Sequence, residues 1–299
     1  MNTSRDLVGY ANSPPHPQWP GNARIAVQFV VNYEEGAECS IELGDSKSES
    51  FISEMVGAEA HLNARSAAME SLYEYGSRTG FWRLHRLFTE RGIAVTVFGV
   101  AVALAQNPAA VEAMQAAEWE IASHGLRWID YQCVPEDLER EHLQKAIELH
   151  REITGEIPLG WYLGRTSPNT ASLIAENGNF IYSSDSYSDD LPYYSIINEM
   201  KQLIIPYSLD MNDMKFVAYN GFTDGESFFR YLKDSFDFLY SEGAESPRMM
   251  TVGLHCRIAG RPGRTAAVAR FIDHIRAHDS VWIPRRIDLA RHWLSVCPT

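Results

Sequence analysis

The stretch ARIAVQFVVNYEEG, residues 23–36, holds an apolar, β-branched run from Ile25 to Val31 that breaks off in Glu34, Glu35 and Gly36. A run with no polar face predicts a strand covered on both sides, as in a parallel sheet. Polar residues at the C-terminal end of such a strand stand where open α/β sheets and barrels keep their reacting groups. Adjacent strand residues point to opposite sides. One of the two glutamates therefore faces a reaction centre and the other does not, unless a bulge re-aims them. The residues alone leave open which one.

Outward from this strand the chain alternates. Strands are expected at 94–100, 119–122, 158–162, 180–182, 203–206, 249–254 and 281–283. Helices are expected at 79–91, 108–117, 135–154, 169–177, 227–242, 264–277 and 286–295. Strand–helix alternation predicts parallel strands joined by crossover helices, and about seven such units suit a barrel or near-barrel. No GxGxxG or P-loop occurs, which removes the usual nucleotide folds. Residues 1–23, with Pro14 and Pro15, predict an extended arm; residues 24–299 form one domain; and residues 37–77 form a long polar insertion of the lid or contact kind. Arm and insertion together suggest a homo-oligomer.

The 299 residues carry 26 Lys and Arg against 39 Asp and Glu, a formal charge of −13. That balance argues against nucleic acid and anionic membrane as partners. No run is long and apolar enough for a membrane helix, and the N-terminal stretch lacks the apolar core of a secretory signal. Cys39, Cys133, Cys256 and Cys297 form no CxxC. Reduced thiols and a cytoplasmic location are expected.

Five strand ends carry polar clusters: Asn32-Tyr33-Glu34-Glu35, Ser123-His124, Arg165-Thr166-Ser167-Pro168, Ser184-Asp185 and Leu254-His255. In a barrel these converge on one mouth. Carboxylates and imidazoles there supply what hydrolysis needs, a group to take a proton from water and one to protonate a leaving nitrogen. Trp128 and Trp161 stand at strand ends, where they either stack on a flat ring or close the mouth. Arg165 and Arg257 are the arginines placed to hold carboxylate or carbonyl oxygens.

The order of these clusters resembles the polysaccharide deacetylase (NodB-like) family, which implies a deformed (β/α) barrel. In that family an acidic pair follows the first strand, and a carboxylate with the two histidines of a His-xxx-His segment binds a divalent metal. Here the segments are YEEG (33–36), HGLRW (124–128), GRTSP (164–168), SSD (183–185) and LH (254–255). Trp128 stands in the slot of the second histidine, and an indole nitrogen cannot ligate. That leaves Glu35 and His124, two ligands where catalytic zinc has three, so no tightly bound metal and no cofactor is expected. The longer strings RDLVGY, SLYEYGSRTGFWR, SHGLRWIDYQ, GWYLGRTSPNT, DDLPYY and GLHCRIAGRPGR are similar to a narrower branch, the metal-independent allantoinases. These open the hydantoin ring of allantoin to allantoate.

The resemblance implies a cyclic ureide as substrate, a tetramer, and a set of roles. Glu35 is the first choice of base and Glu34 the second. His124 polarises the carbonyl or shares the water, His255 protonates the departing nitrogen, and Asp185 orients one histidine. Asn32, Tyr33, Trp128, Trp161, Arg165 and Arg257 surround the substrate. Two other hydrolases stay open, one acting on cyclic imides or related rings and one a metal-dependent deacetylase. A barrel that only binds has no reason to keep base and acid together.

Overall fold

A computed structural model describes residues 5–298. Its strands are β1 (Ile25–Tyr33), β2 (Thr96–Gly99), β3 (Glu120–Ser123), β4 (Gly160–Trp161), β5 (Tyr182–Ser183), β6 (Tyr193–Ile197), β7 (Met200–Ile204), β8 (Arg248–His255) and β9 (Val281–Trp282). Its helices are α1 (Ala67–Tyr75), α2 (Phe81–Thr89), α3 (Ala101–Gln106), α4 (Pro108–Ala116), α5 (Glu136–Thr154), α6 (Thr170–Asn177), α7 (Gly225–Glu242), α8 (Pro262–Arg276) and α9 (Arg286–Val296).

The strands make one sheet in the order β6-β7-β5-β4-β3-β2-β1-β8, with β9 on the first residues of β1. Every pairing is parallel except the β6–β7 hairpin. The sheet curls, and a loose seam joins its far edges. Asn212 bridges Gly253, and the Met249 amide donates to the Asp190 carbonyl. This is the deformed (β/α) barrel that the resemblance implies, and the strand–helix alternation fits it. β1 is buried along its whole length, as its largely apolar run predicts, with Phe29 packed on Phe88 and Phe271 from the surrounding helices.

Register is what builds the mouth. Asn32 pairs with Phe98 on one side and His255 on the other, Gly99 with Ser123, Ser123 with Trp161, and Trp161 with Ser183. The C-terminal ends therefore stand level, and the residues that follow each strand meet above them.

The structure adds three features to these expectations. Within the stretch 37–77, α1 occupies Ala67–Tyr75, with Met69 and Tyr73 buried one turn apart. The described part of the arm packs on the barrel. Trp19 is 2% exposed against Trp282 and Trp293, its indole N–H donates to the Arg248 carbonyl, and Tyr10 donates to that of Pro192. A large indole with a flat apolar partner beside it is more stable covering its own barrel. Of the β6–β7 hairpin, β7 overlaps the strand expected at 203–206, whereas β6 lies outside the expected elements. The hairpin turns on Asn198 and Glu199, both at positive φ, without the glycine that usually advertises such a turn.

Candidate active site

A cavity of about 140 Å³ opens at the C-terminal ends of the strands. Its polar lining includes Asn32, Glu34, His124, Arg165, Tyr207 and His255, with Tyr162, Tyr187 and Asn212 beside them; Trp128, Phe51 and Ile52 form part of its wall. The last two bring the polar insertion into the pocket. Phe51 stacks on Trp128 at 5.9 Å, and the Arg165 guanidinium lies over both rings, at 4.8 and 5.2 Å.

Strand alternation divides the first cluster. Asn32 and Glu34 line the cavity, whereas Tyr33 and Glu35 do not. Tyr33 enters the core under α2, its hydroxyl held by Asn107 and Ser77. Both Glu35 oxygens accept backbone amides, those of Glu34 (3.1 Å) and Arg257 (3.1 Å). Gly76 permits this, since a Cβ there would lie 2.2 Å from the Glu35 carboxylate. Burial pushes Glu35 up to about 7. The glutamate on the pocket is thus the second choice of base, Glu34, and not the first.

Glu34 is the hub. Its Oε1 lies 3.3 Å from His124 Nε2 and 3.4 Å from His255 Nε2, and its Oε2 accepts from Arg257 Nη1 at 2.6 Å. Burial alone would raise its pKa. The Arg257 and His255 charges and the His124 hydrogen bond outweigh burial and hold it well below the ordinary carboxylate range. Arg257 is correspondingly a buried partner of Glu34 rather than part of the pocket lining, sandwiched against Tyr73 and Trp128.

His255 is clasped from both sides. Its Nδ1 meets Asp213 Oδ1 at 2.6 Å, while Asp213 Oδ2 accepts the His255 and Ala259 amides at 2.7 and 2.8 Å. Burial would lower the imidazole's pKa, but Glu34 and Asp213 raise it to about 9. Sequence reasoning misses Asp213. It follows no strand and begins a short 3-10 turn capped by Asn212, so nothing about its position marks it.

Asp185 does not orient a histidine. Its carboxylate accepts the Leu163 and Gly164 amides at 2.7–3.0 Å, which shapes the turn that presents Arg165. Burial raises it to about 6, against the pull of those amides. Trp161 is also off the cavity, packed on Phe180 at 5.2 Å on the helix side of the sheet. The strand alternation that aims its neighbour Tyr162 at the pocket turns Trp161 away.

Several buried polar atoms here have no partner within the chain: Asn32 Oδ1, His124 Nδ1, Arg165 Nη1 and, behind the pocket, Arg257 Nη2. Unpaired buried polar atoms are costly, and three on one cavity mark a place for a polar ligand with both N–H and C=O groups.

The family's divalent metal does not fit this donor set. Glu35 spends both oxygens on backbone amides, Glu34 is paired with a guanidinium, and Trp128 offers no lone pair. Among the described residues, the group of three metal-type side chains with ligand atoms within 4.8 Å lies elsewhere, at Asp237, His274 and His278. There the Lys233 ammonium and His274 already share the carboxylate.

Comparison with known proteins bears on the same site. The polysaccharide deacetylase family model matches residues 63–178. A candidate polysaccharide deacetylase of Schizosaccharomyces pombe is 39% identical, covering 100% of this chain and 99% of its own. The crystal structure of PuuE allantoinase superposes with a TM-score of 0.98 at 53% identity, covering 100% of both chains. A provisionally named polysaccharide deacetylase of Pseudomonas aeruginosa PAO1 gives 0.97 at 55% identity over 99% of each.

Proposed function

The chain belongs to the polysaccharide deacetylase family, and from that premise we propose that it hydrolyses the ring amide of allantoin to give allantoate, without a resident metal. The observation that carries this reading is the opposed poise of two groups 3.4 Å apart, Glu34 held anionic and His255 held protonated at neutral pH. An acid and a base driven apart by their surroundings are what metal-free amide hydrolysis requires. The 53% identity to PuuE allantoinase supports the substrate.

The steps follow from the atoms. Water adds its oxygen to the ring carbonyl carbon and gives a proton to Glu34. The ring C–N bond breaks, its electron pair stays on nitrogen, and His255 supplies that nitrogen's proton. The carboxylic acid so formed releases its remaining proton to solvent, the proton on Glu34 passes back to His255 3.4 Å away, and a carboxylate and a ureido NH2 result. His124, with Nε2 turned to Glu34, fixes that carboxylate. Asn32 Oδ1 and Arg165 Nη1 suit a ligand N–H and C=O respectively. The enzyme is proposed to work as a cytoplasmic homotetramer; among the described residues no helix is long and apolar enough to cross a membrane.

The test is ring opening of racemic allantoin by purified protein, with and without excess chelator. Turnover that survives the chelator is expected. Loss of turnover restored by zinc would overturn the metal-free reading, and turnover of succinimide or hydantoin in place of allantoin would overturn the substrate.

Arg165→Ala is expected to raise KM about tenfold while changing kcat less, because its unpaired N–H contacts the ligand in ground and transition state alike. Steady-state kinetics separate the two constants. An unchanged KM would remove Arg165 from substrate binding.

A further inference from the structure

In the ring-opening reaction proposed above, on which this inference rests, charge develops on the carbonyl oxygen as water adds. Some group must receive it. The histidine expected to polarise the carbonyl directs Nε2 at Glu34, and its Nδ1 has no partner. That contact through Nε2 commits His124 to holding the base. Arg257 is spent on Glu34 and lies behind the pocket.

We propose that the Tyr207 hydroxyl is the catalytic oxyanion donor. Tyr207 follows β7, lines the cavity with Glu34 and His255, and is 3% exposed. Its oxygen accepts two amide N–H groups, from Asn32 Nδ2 at 3.1 Å and Asn212 Nδ2 at 3.2 Å. Amide NH2 groups only donate, so both bonds use the phenol's lone pairs and neither uses its hydrogen. A buried hydroxyl that accepts twice has its own O–H left to give, and two donors on the oxygen polarise that O–H further.

The surroundings hold this arrangement in place. Asn32 reaches the hydroxyl from β1 and also donates to the Leu254 carbonyl at 3.2 Å. Asn212 reaches it from the seam of the barrel, its own carbonyl oxygen tied to the Met214 amide at 2.9 Å. The Tyr207 ring packs on Tyr162 at 4.8 Å and on Phe98 at 5.6 Å. Gly253 clears the space, since a Cβ there would lie 2.3 Å from the phenol oxygen. A pre-aimed, water-shielded donor of this kind acts where charge appears without reorganising at the moment of reaction. The step needs no proton transfer: the O–H hydrogen bond to the carbonyl oxygen shortens as that oxygen becomes anionic and relaxes when the ring C–N bond breaks.

The experiment is Tyr207→Phe, read as kcat, KM and the affinity for hydantoin as an unreacted ring analogue. Loss of one oxyanion donor is expected to lower kcat by about a hundredfold or more. KM and analogue affinity should move only a few-fold, because the bond strengthens in the transition state. A variant that fails to fold is answered by 3-fluorotyrosine at position 207, which keeps the hydroxyl and is expected to keep kcat within about tenfold of the parent. Unchanged kcat in Tyr207→Phe, with the parent turning over allantoin, overturns the assignment and leaves the ring-opening reading intact. A loss of kcat/KM that comes wholly from a rise in KM also overturns it, since that marks a packing or binding role. A parent inactive on allantoin, hydantoin and succinimide alike overturns both.

Discussion

Glu34→Gln is expected to lower kcat by about a hundredfold or more, and Glu35→Gln by about tenfold at most. The two positions differ by one residue and by which side of β1 they face. Glu34 lines the cavity and touches both histidines. Its amide replacement keeps the shape but cannot take a proton, and it leaves buried Arg257 with only the more distant Glu35 carboxylate, 3.7 Å away, as an ionic partner. Removing one partner of a buried pair is destabilising, so Glu34→Gln should also lower the thermal midpoint. Glu35→Gln keeps one good acceptor for the Glu34 and Arg257 amides and touches no pocket atom. The measurement is kcat for both variants beside the parent, with thermal unfolding as a check on folding. Comparable large losses in both would mean that the turn after β1 rearranges on substrate binding. A near-normal rate in Glu34→Gln would remove that residue as the base.

This pair also shows what the sequence could and could not convey. The buried run 25–31 and the strand–helix alternation report the barrel, because a sheet covered on both faces leaves an unbroken apolar signature. The polar strand ends report the mouth, because parallel strands in register finish level. Asn32, Glu34, His124, Trp128, Arg165 and His255 were legible for that reason, as was the loss of a ligand at Trp128. Strand period decides the faces, but it needs a known origin. The YEEG turn could be phased either way until Asn32 and Glu34 were seen together on the cavity, and the same uncertainty misplaced Tyr33 and Trp161. Tyr207 directly follows the expected strand 203–206 and was legible as one more strand end, though it was passed over; Asp213 and Phe51 left no comparable signal. They lie in the seam and the insertion, where neither the strand period nor the helix period operates. They meet the pocket through contacts with residues distant in the chain, such as Asp213 with His255, 42 positions away.

Asp213→Asn carries the second large effect, and its sign follows from the shift on His255. That imidazole rises from 6.5 to about 9 because Glu34 and Asp213 outweigh burial. It is therefore protonated, and able to act as the acid, below about pH 9, and the rate should fall as pH climbs through that value. Its contribution to stability runs the same way, complete below about 6.5 and lost as pH rises through about 9. Asparagine removes one of the two anions. Burial then counts for more, the folded pKa drops, and the alkaline limb of kcat/KM moves to lower pH. The loss is expected to be about tenfold or more at about pH 8 and smaller at about pH 6.5. The side-chain oxygen of the introduced asparagine could still accept one of the His255 and Ala259 amides but not also neutralise the ring, so a fall in thermal stability accompanies the kinetic change. His255→Ala, which has no acid at any pH, should instead lose about a hundredfold or more across the whole profile. A pH–rate profile of the parent and both variants decides it. An alkaline limb that stays put in Asp213→Asn would show that Asp213 only braces the backbone after β8, and the proton delivered to the leaving nitrogen would have to come from a group other than His255.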